Sequence, residues 1–300
     1  MCADCHSTNL LKHYNDQQDS FASTWHEQNV GCQACHGGGR AHAESARATQ
    51  AAGRGKPQPT ANRALTGAHA QVDQCATCHA RRTRLVEDAT AGTPLLDQFM
   101  PDNLRADLYH ADGQQREEVF EYGSYRQSRM YQAGVACTDC HDPHSGKRRA
   151  EGNALCTACH NETPDRARFP GLKPAKYDSA SHHFHAAGKA GSQCVDCHMP
   201  SRNYMIVHGR RDHAIRIPRP DLSAKLGVPN ACGDCHGERS PEWAAQAITR
   251  HFGARQHGTH YGEILAAARR HGVNPARAKR MLEPATTTIL QASETSGSKR

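Results

Sequence analysis

The sequence predicts a mainly α protein with much irregular loop, wrapped around a core that the polypeptide does not itself supply and ending in a short C-terminal helical appendage. Three observations predict it. Only 37% of the 300 residues are hydrophobic and 5% aromatic, and the mean hydropathy is −0.79, too little apolar matter for an ordinary core in a chain of this length. Fourteen cysteines and 22 histidines are residues for which a disordered polymer has no use. The stretches between the cysteines are polar and rich in turn residues, broken by short helical patterns.

No run of eighteen or more apolar residues occurs, so no membrane-spanning helix is expected. Cys2 follows Met1 at once, with no secretory signal before it. The formal charge of +7 points at first to an anionic partner. No Lys/Arg stripe interleaved with aromatics accompanies it, which argues against nucleic acid.

Every cysteine falls in a Cys-x-x-Cys-His unit. The seven units are Cys2/Cys5/His6, Cys32/Cys35/His36, Cys75/Cys78/His79, Cys137/Cys140/His141, Cys156/Cys159/His160, Cys194/Cys197/His198 and Cys232/Cys235/His236. Two thiols so spaced on a tight helical turn each form a thioether to one vinyl group of a single porphyrin. The next residue then turns its imidazole toward the iron. Zinc ribbons and redox dithiols need no trailing histidine, and a disulfide framework does not repeat one spacing seven times. With histidine at about 7% of the chain, finding it after all seven pairs by chance has odds on the order of 10⁻⁸. The motifs predict seven covalently attached haems c.

That cofactor load reinterprets the charge. Fourteen propionates carry the chain from +7 to about −7 when all irons are ferrous and about 0 when all are ferric. The basic polypeptide then reads as compensation for propionates. Haem attachment of this kind happens outside the cytoplasmic membrane, so a periplasmic or extracellular location is expected. A secretory signal is expected upstream, and the start at Met1 reads as that of a fragment.

Six-coordinate irons need a second ligand each, and a second histidine favours low potentials whereas methionine raises them. The best distal candidates are His42, His144, His182, His185 and His213. His42 follows the glycine-rich turn Gly37–Gly39, and His144 follows Pro143, which directs the chain away from its own motif toward a neighbouring one. His182 and His185 precede the sixth motif by a few helical turns or less. His213 has Asp212 beside it as a candidate hydrogen-bond partner. His13, His26, His69 and His110 rank lower, and His251, His257, His260 and His271 are set aside as tail residues. Met199 and Met205 are read as packing residues.

The first cysteines of successive motifs are 30, 43, 62, 19, 38 and 38 residues apart. About 43 residues per motif is too little protein for an independent globule around each. The haems must share one stacked core, with the Cys137 and Cys156 motifs the tightest local pair. Residues 53–60 read as a surface loop. Tyr122, Tyr125, Arg126, Arg129, Met130 and Tyr131 lie in a structured stretch leading to the fourth motif. Packing with propionate contacts is expected there, and a substrate pocket is the other reading. Ser240 and Pro241 open a helix stopped by Gly253, a second runs from Thr259 to Gly272, and a third opens at Asn274-Pro275 and closes at Pro284. The expected domains are 1–238, carrying the haems, 239–284, the helical appendage, and 285–300, a disordered tail.

Met1–Leu10, Tyr122–Tyr125, Gln127–Val135, Cys140–His144, Cys194–Pro200, Ile217–Leu222, Pro229–His236 and Pro241–Ala245 together resemble a group of multihaem cytochromes linked to C-terminal tetratricopeptide or related helical repeats. Its motifs are similar in style to those of pentahaem nitrite reductase, octahaem hydroxylamine oxidoreductase and the tetrahaem carrier of ammonia oxidation. The resemblance covers nearly everything up to about residue 270 and implies a mostly helical periplasmic or extracellular protein. Members carry a further upstream motif and downstream repeats that are not in this sequence. The Lys-for-His haem motif of the nitrite reductases is not in it either.

Two functions follow. One is electron transfer through seven haems between unidentified redox partner proteins, with docking through the C-terminal helices. The alternative is an oxidoreductase with one five-coordinate haem acting on a small nitrogen or sulfur compound.

Overall fold

The computed structural model describes residues 2–57, 67–254 and 258–272. The third C-terminal helix expected at 274–284, the tail 285–300, His257 and the end of the 53–60 loop lie outside the described residues. The structure is mainly helical with irregular loops. Short helices are joined by turns and by four two-stranded antiparallel ladders. Among the described residues only nineteen apolar side chains are buried, six of them alanine, so the polypeptide core is thin. The chain forms two compact units, Met1–Asn103 with Val119–Asp178, and Leu104–Glu118 with Ser179–Arg300.

The first unit holds α1 (Cys2–His6), α2 (Cys32–His36), α3 (Arg40–Ala51), α4 (Ala68–Ala76), α5 (Leu95–Gln98), α6 (Phe120–Tyr125), α7 (Arg129–Gln132), α8 (Cys137–Cys140) and α9 (Ala154–Thr157). Its centre is α4, whose Val72 and Ala76 are buried and which packs on α5, α6 and α8. Polar contacts hold α6 to its surroundings. Tyr122 Oη donates to Asp73 Oδ1 at 3.1 Å, and Tyr125 Oη donates to the Val135 carbonyl at 2.7 Å. These two tyrosines are buried packing residues, which settles that part of the Tyr/Arg stretch as core.

Two ladders frame this centre. Arg82–Arg84 pairs with Phe99–Pro101, and the Arg82 guanidinium lies 3.8 Å over the Phe99 ring. At the N-terminus Tyr14–Asn15 pairs with Ser20–Phe21, and bridges Thr8–Glu27 and Leu11–Thr24 extend the arm. The Asn15 side chain accepts from the amides of Gln17 and Gln18 at 3.0 and 3.1 Å, which closes the turn.

The second unit holds α10 (Ala180–His183), α11 (Cys194–His198), α12 (Pro220–Leu226), a 3₁₀ turn at Ala231–Asp234, α13 (Pro241–Phe252) and α14 (Tyr261–His271). Ser240 caps α13 by accepting from the Trp243 amide at 3.3 Å, with Pro241 in the first turn and Gly253 at φ 80 ending it. His260 and Glu263 cap α14. Residues of the Leu104–Glu118 segment join this unit through Tyr261 Oη to the Asp112 carbonyl at 2.5 Å and Arg269 to the carbonyls of Tyr109 and Leu104. The helices after residue 238 are built into the unit that carries the last two motifs. α13 packs along α12 and against the Ala231–Asp234 turn, which covers apolar side chains of an amphipathic helix.

Leu222 sits at 1% exposure on α12. Leu222→Ala is expected to destabilise this unit by about 2–5 kcal/mol, measured by denaturant titration followed by far-ultraviolet circular dichroism.

Candidate haem centre

Each motif folds as one helical turn. Cys2–His6, Cys32–His36 and Cys194–His198 are complete α-turns. In the third, fifth and seventh motifs the histidine amide donates to the carbonyl of the first cysteine, at 2.8, 2.9 and 2.9 Å. A bond of four residues' span brings both thiols and the imidazole to one side of the turn. The fourth motif departs from this. His141 leaves α8 in an extended conformation and starts a ladder with Lys147–Arg148, which carries His144 in its turn.

The tethers are not uniformly enclosed by polypeptide. Cys2, Cys32, Cys35, Cys159 and Cys235 are exposed, and the other nine are half-buried. Cys159 and Cys235, the second cysteines of the fifth and seventh motifs, show the physical reason. The helix Ala154–Thr157 ends two residues before Cys159, and the turn Ala231–Asp234 ends just before Cys235. Each is then held by its own backbone, the Cys159 amide donating to the Cys156 carbonyl at 3.2 Å and the Cys235 amide to the Cys232 carbonyl at 3.3 Å. A motif fixed by bonds within one turn needs no protein packed over its second sulfur.

Among the described residues no disulfide joins the fourteen cysteines, and no three potential ligands gather as a metal-binding cluster. A four-thiolate zinc site needs such a gathering. The thiols of different motifs do approach in pairs. Cys5 Sγ is 3.7 Å from the Cys78 carbonyl, and its thiol bond to Cys78 brings that cysteine down to about 7. A thiol bond from Cys137 likewise brings Cys75 down to about 7. The first, third and fourth motifs thus adjoin at their sulfurs. In the second unit α11 packs on the Ala231–Asp234 turn. Burial, with Cys232 nearby, pushes the Cys197 thiol up to about 11.

Several imidazoles are anchored at Nδ1, which leaves Nε2 for a metal. His79 Nδ1 donates to Glu121 Oε2 at 2.9 Å, and His198 Nδ1 donates to the Arg216 carbonyl at 2.7 Å. Among the distal candidates, His185 Nδ1 donates to the His183 carbonyl at 2.5 Å. His213 Nδ1 donates to the Arg211 carbonyl at 3.0 Å. Asp212 beside it is buried and accepts from the Ala214 amide at 2.9 Å.

Three of the five distal candidates face a motif imidazole. The rings of His36 and His144 lie 6.1 Å apart, 12° from parallel. Those of His198 and His182 lie 6.3 Å apart at 10°, and those of His236 and His185 lie 6.3 Å apart at 37°. Two imidazoles on opposite sides of one metal ion place their ring centres about 6.3 Å apart, given metal–nitrogen bonds of about 2.0 Å and about 1.15 Å from nitrogen to ring centre. The spacing fits one iron between each pair. Burial, together with the His198 and His183 rings, holds His182 below the usual histidine range, toward the neutral form that binds metals.

His42 lies on the first turn of α3. The lower-ranked histidines make protein contacts. His13 Nε2 reaches Thr24 at 3.2 Å, and His26 Nδ1 reaches Asn9 at 3.0 Å. His69 reaches the Tyr131 carbonyl at 3.0 Å while its ring stacks at 4.4 Å on Tyr131. His110 is half-buried and pushed down by desolvation.

The backbone explains how His182 and His185 face two different motif histidines. Three residues apart on an unbroken helix, they would share a face. Phe184 ends α10 in the left-handed region at φ 57, and His185 turns away. Phe184 is held there by α13, its ring 3.8 Å from His251 and 5.5 Å from Phe252. Gly191, at φ 81, makes room for the imidazole, since a Cβ there would come within 2.7 Å of His185 Cδ2. Glu121, Phe184, Gly191 and His251 were not among the expected site residues. Gly191 carried a readable signal, a glycine three residues before a motif. The others act through contacts distant in sequence.

Two family models match parts of the chain. "Doubled CXXCH motif" matches residues 131–165, the fourth and fifth motifs, and "Cytochrome c554 and c-prime" matches residues 1–37, the first two. No curated protein matches the sequence. A crystal structure of the outer cell wall cytochrome OcwA is similar in fold, with a TM-score of 0.57 at 17% identity over 83% of this chain. The chain spans 62% of the length of that neighbour. The motifs and these matches define a multihaem c-type cytochrome that binds haem c through its Cys-x-x-Cys-His units.

His144→Ala, His182→Ala and His185→Ala are each expected to convert one haem from low to high spin while every haem stays attached. Electron paramagnetic resonance reads the spin state, and intact mass reads the attachment.

Proposed function

We propose that the chain transfers electrons through seven covalently bound haems in the periplasm or outside the cell, between partner proteins that are themselves redox-active. The observation that carries this reading is the set of facing imidazoles, His36 with His144, His198 with His182 and His236 with His185. Each such pair would hold one iron between two histidines, an arrangement that suits electron transfer.

The fourteen cysteines tether the porphyrins, and His6, His36, His79, His141, His160, His198 and His236 are the proximal ligands. His144, His182 and His185 are distal ligands to the second, sixth and seventh motifs, and His42 and His213 serve two others. The bound haems supply one-electron iron chemistry. The polypeptide fixes their ligands and brings tethers together. The sulfur contacts of Cys5 with Cys78 and of Cys75 with Cys137 support neighbouring porphyrins within the first unit, and the packing of α11 on the Ala231–Asp234 turn supports a neighbouring pair within the second.

The neighbour's description as an outer cell wall cytochrome supports a location outside the cytoplasm, as does the site of thioether attachment. Among the described residues no helix is long and apolar enough to cross a membrane. The motif style supports a relation to the tetratricopeptide-linked cytochromes and their nitrite and hydroxylamine relatives, and the surface of the C-terminal helices is proposed as the partner contact.

Protein made with haem-maturation machinery is expected to carry seven haems by intact mass, and its dithionite-reduced spectrum is expected not to shift with carbon monoxide. A smaller haem count, or thiols holding zinc, would overturn the cofactor reading. A carbon monoxide complex would overturn the pure electron-transfer reading and establish an open iron.

A further inference from the structure

We propose that Glu121 is a positioning residue that sets the potential of the haem held by the third motif, lowering it relative to the value a neutral acceptor would give. The inference rests on the reading of His79 as an iron ligand. Two observations carry it beyond that reading, the identity of the acceptor at His79 and the backbone device that delivers it.

The acceptor at His79 Nδ1 is a carboxylate oxygen, at 2.9 Å. At the sixth motif His198 uses the same nitrogen, but its acceptor is the neutral carbonyl of Arg216, at 2.7 Å. A carboxylate draws the Nδ1 proton more strongly than a carbonyl does and leaves more negative charge on the ring. The imidazole becomes a better donor at Nε2, which stabilises ferric over ferrous iron. The two motifs share attachment chemistry and differ in this contact.

The backbone around Glu121 is locked to the third motif on both sides. The Arg81 amide donates to the Val119 carbonyl at 3.1 Å, and the Tyr122 amide donates to the carbonyl of His79 itself at 3.0 Å. Val119 and Tyr122 are buried at 1% and 5% exposure, and Tyr122 Oη is tied to Asp73 of α4, the helix that leads into the motif. Between them Phe120 adopts φ 59, a left-handed conformation that is strained for a residue with a side chain. That strain puts α6 in register so that its second residue, Glu121, meets the ring.

The test is Glu121→Gln in the full holoprotein, since glutamine keeps an acceptor oxygen and removes the charge. A stepwise redox titration followed by optical and electron paramagnetic resonance spectra is expected to show one haem moving to higher potential with an altered g-value spread. The other haems, that of the His198 motif included, stay in place. Seven attached haems with every potential unmoved would overturn the inference, because a residue that only packs is satisfied by glutamine. If Glu121→Gln fails to load its haems, Glu121→Asp carries the test. It keeps the charge but draws it back by one methylene, so one potential must rise, and an unmoved titration overturns the proposal. Failure of the underlying reading looks different, since wild-type protein would then lack a haem and leave Cys75 and Cys78 open to alkylation.

Discussion

A cysteine pair and a histidine compressed into one helical turn impose a constraint that reaches through the whole molecule. The turn needs only five residues, as Cys32–His36 shows, so each attachment point is locally determined and requires no support from a large fold. The exposed second cysteines Cys159 and Cys235 are the plainest instance, held by backbone bonds within their own turns. Three attachment points, those of His36, His198 and His236, face a second imidazole from elsewhere in the chain. The polypeptide between motifs is therefore organised to deliver histidines, and its own apolar packing is correspondingly sparse. The burial of α4 through Val72 and Ala76 and of α12 through Leu222 keeps the turns at fixed separation without enclosing a conventional core.

The attachment points were legible because their chemistry is written in adjacent letters. Their exposure was not, since it depends on where each short helix stops. Facing imidazoles were legible where a local device marks them. Pro143 pointed His144 at a neighbouring motif, and the facing ring is that of His36 in the second motif. The cap residues Ser240 and Gly253 marked α13 to the residue. Contacts formed across distance in sequence were not legible. Glu121 meets His79 over 42 residues, and the partner of Phe184 is His251, a residue read from sequence as part of a tail. The expected division at residue 238 followed the change in composition, whereas packing of α13 on α12 follows the need to cover an apolar helix face.

Backbone strain tracks these long-range requirements. Phe120 and Phe184 have positive φ, and each stands next to a histidine contact. Phe120 brings Glu121 to a motif ring, and Phe184 separates His182 from His185 so that two neighbouring histidines face two motifs. Glycine would accept either conformation without strain, but glycine has no ring to hold the turn in place. At Phe184 the aromatic side chain secures the turn against His251 and Phe252 of α13, so strain and anchor reside in one residue.

This gives the C-terminal helix α13 a structural part in the ligand set of its unit. Its last turn clamps Phe184, Phe184 sets the direction of His185, and His185 faces the seventh motif, whose His236 ring lies 5.0 Å from Trp243 at the start of the same helix. Both sides of that imidazole pair are thus referred to one rigid element. A helix that served only to dock a partner would not need to touch both. Its outer surface remains available for such docking while its inner face fixes the geometry on which the neighbouring haem position depends.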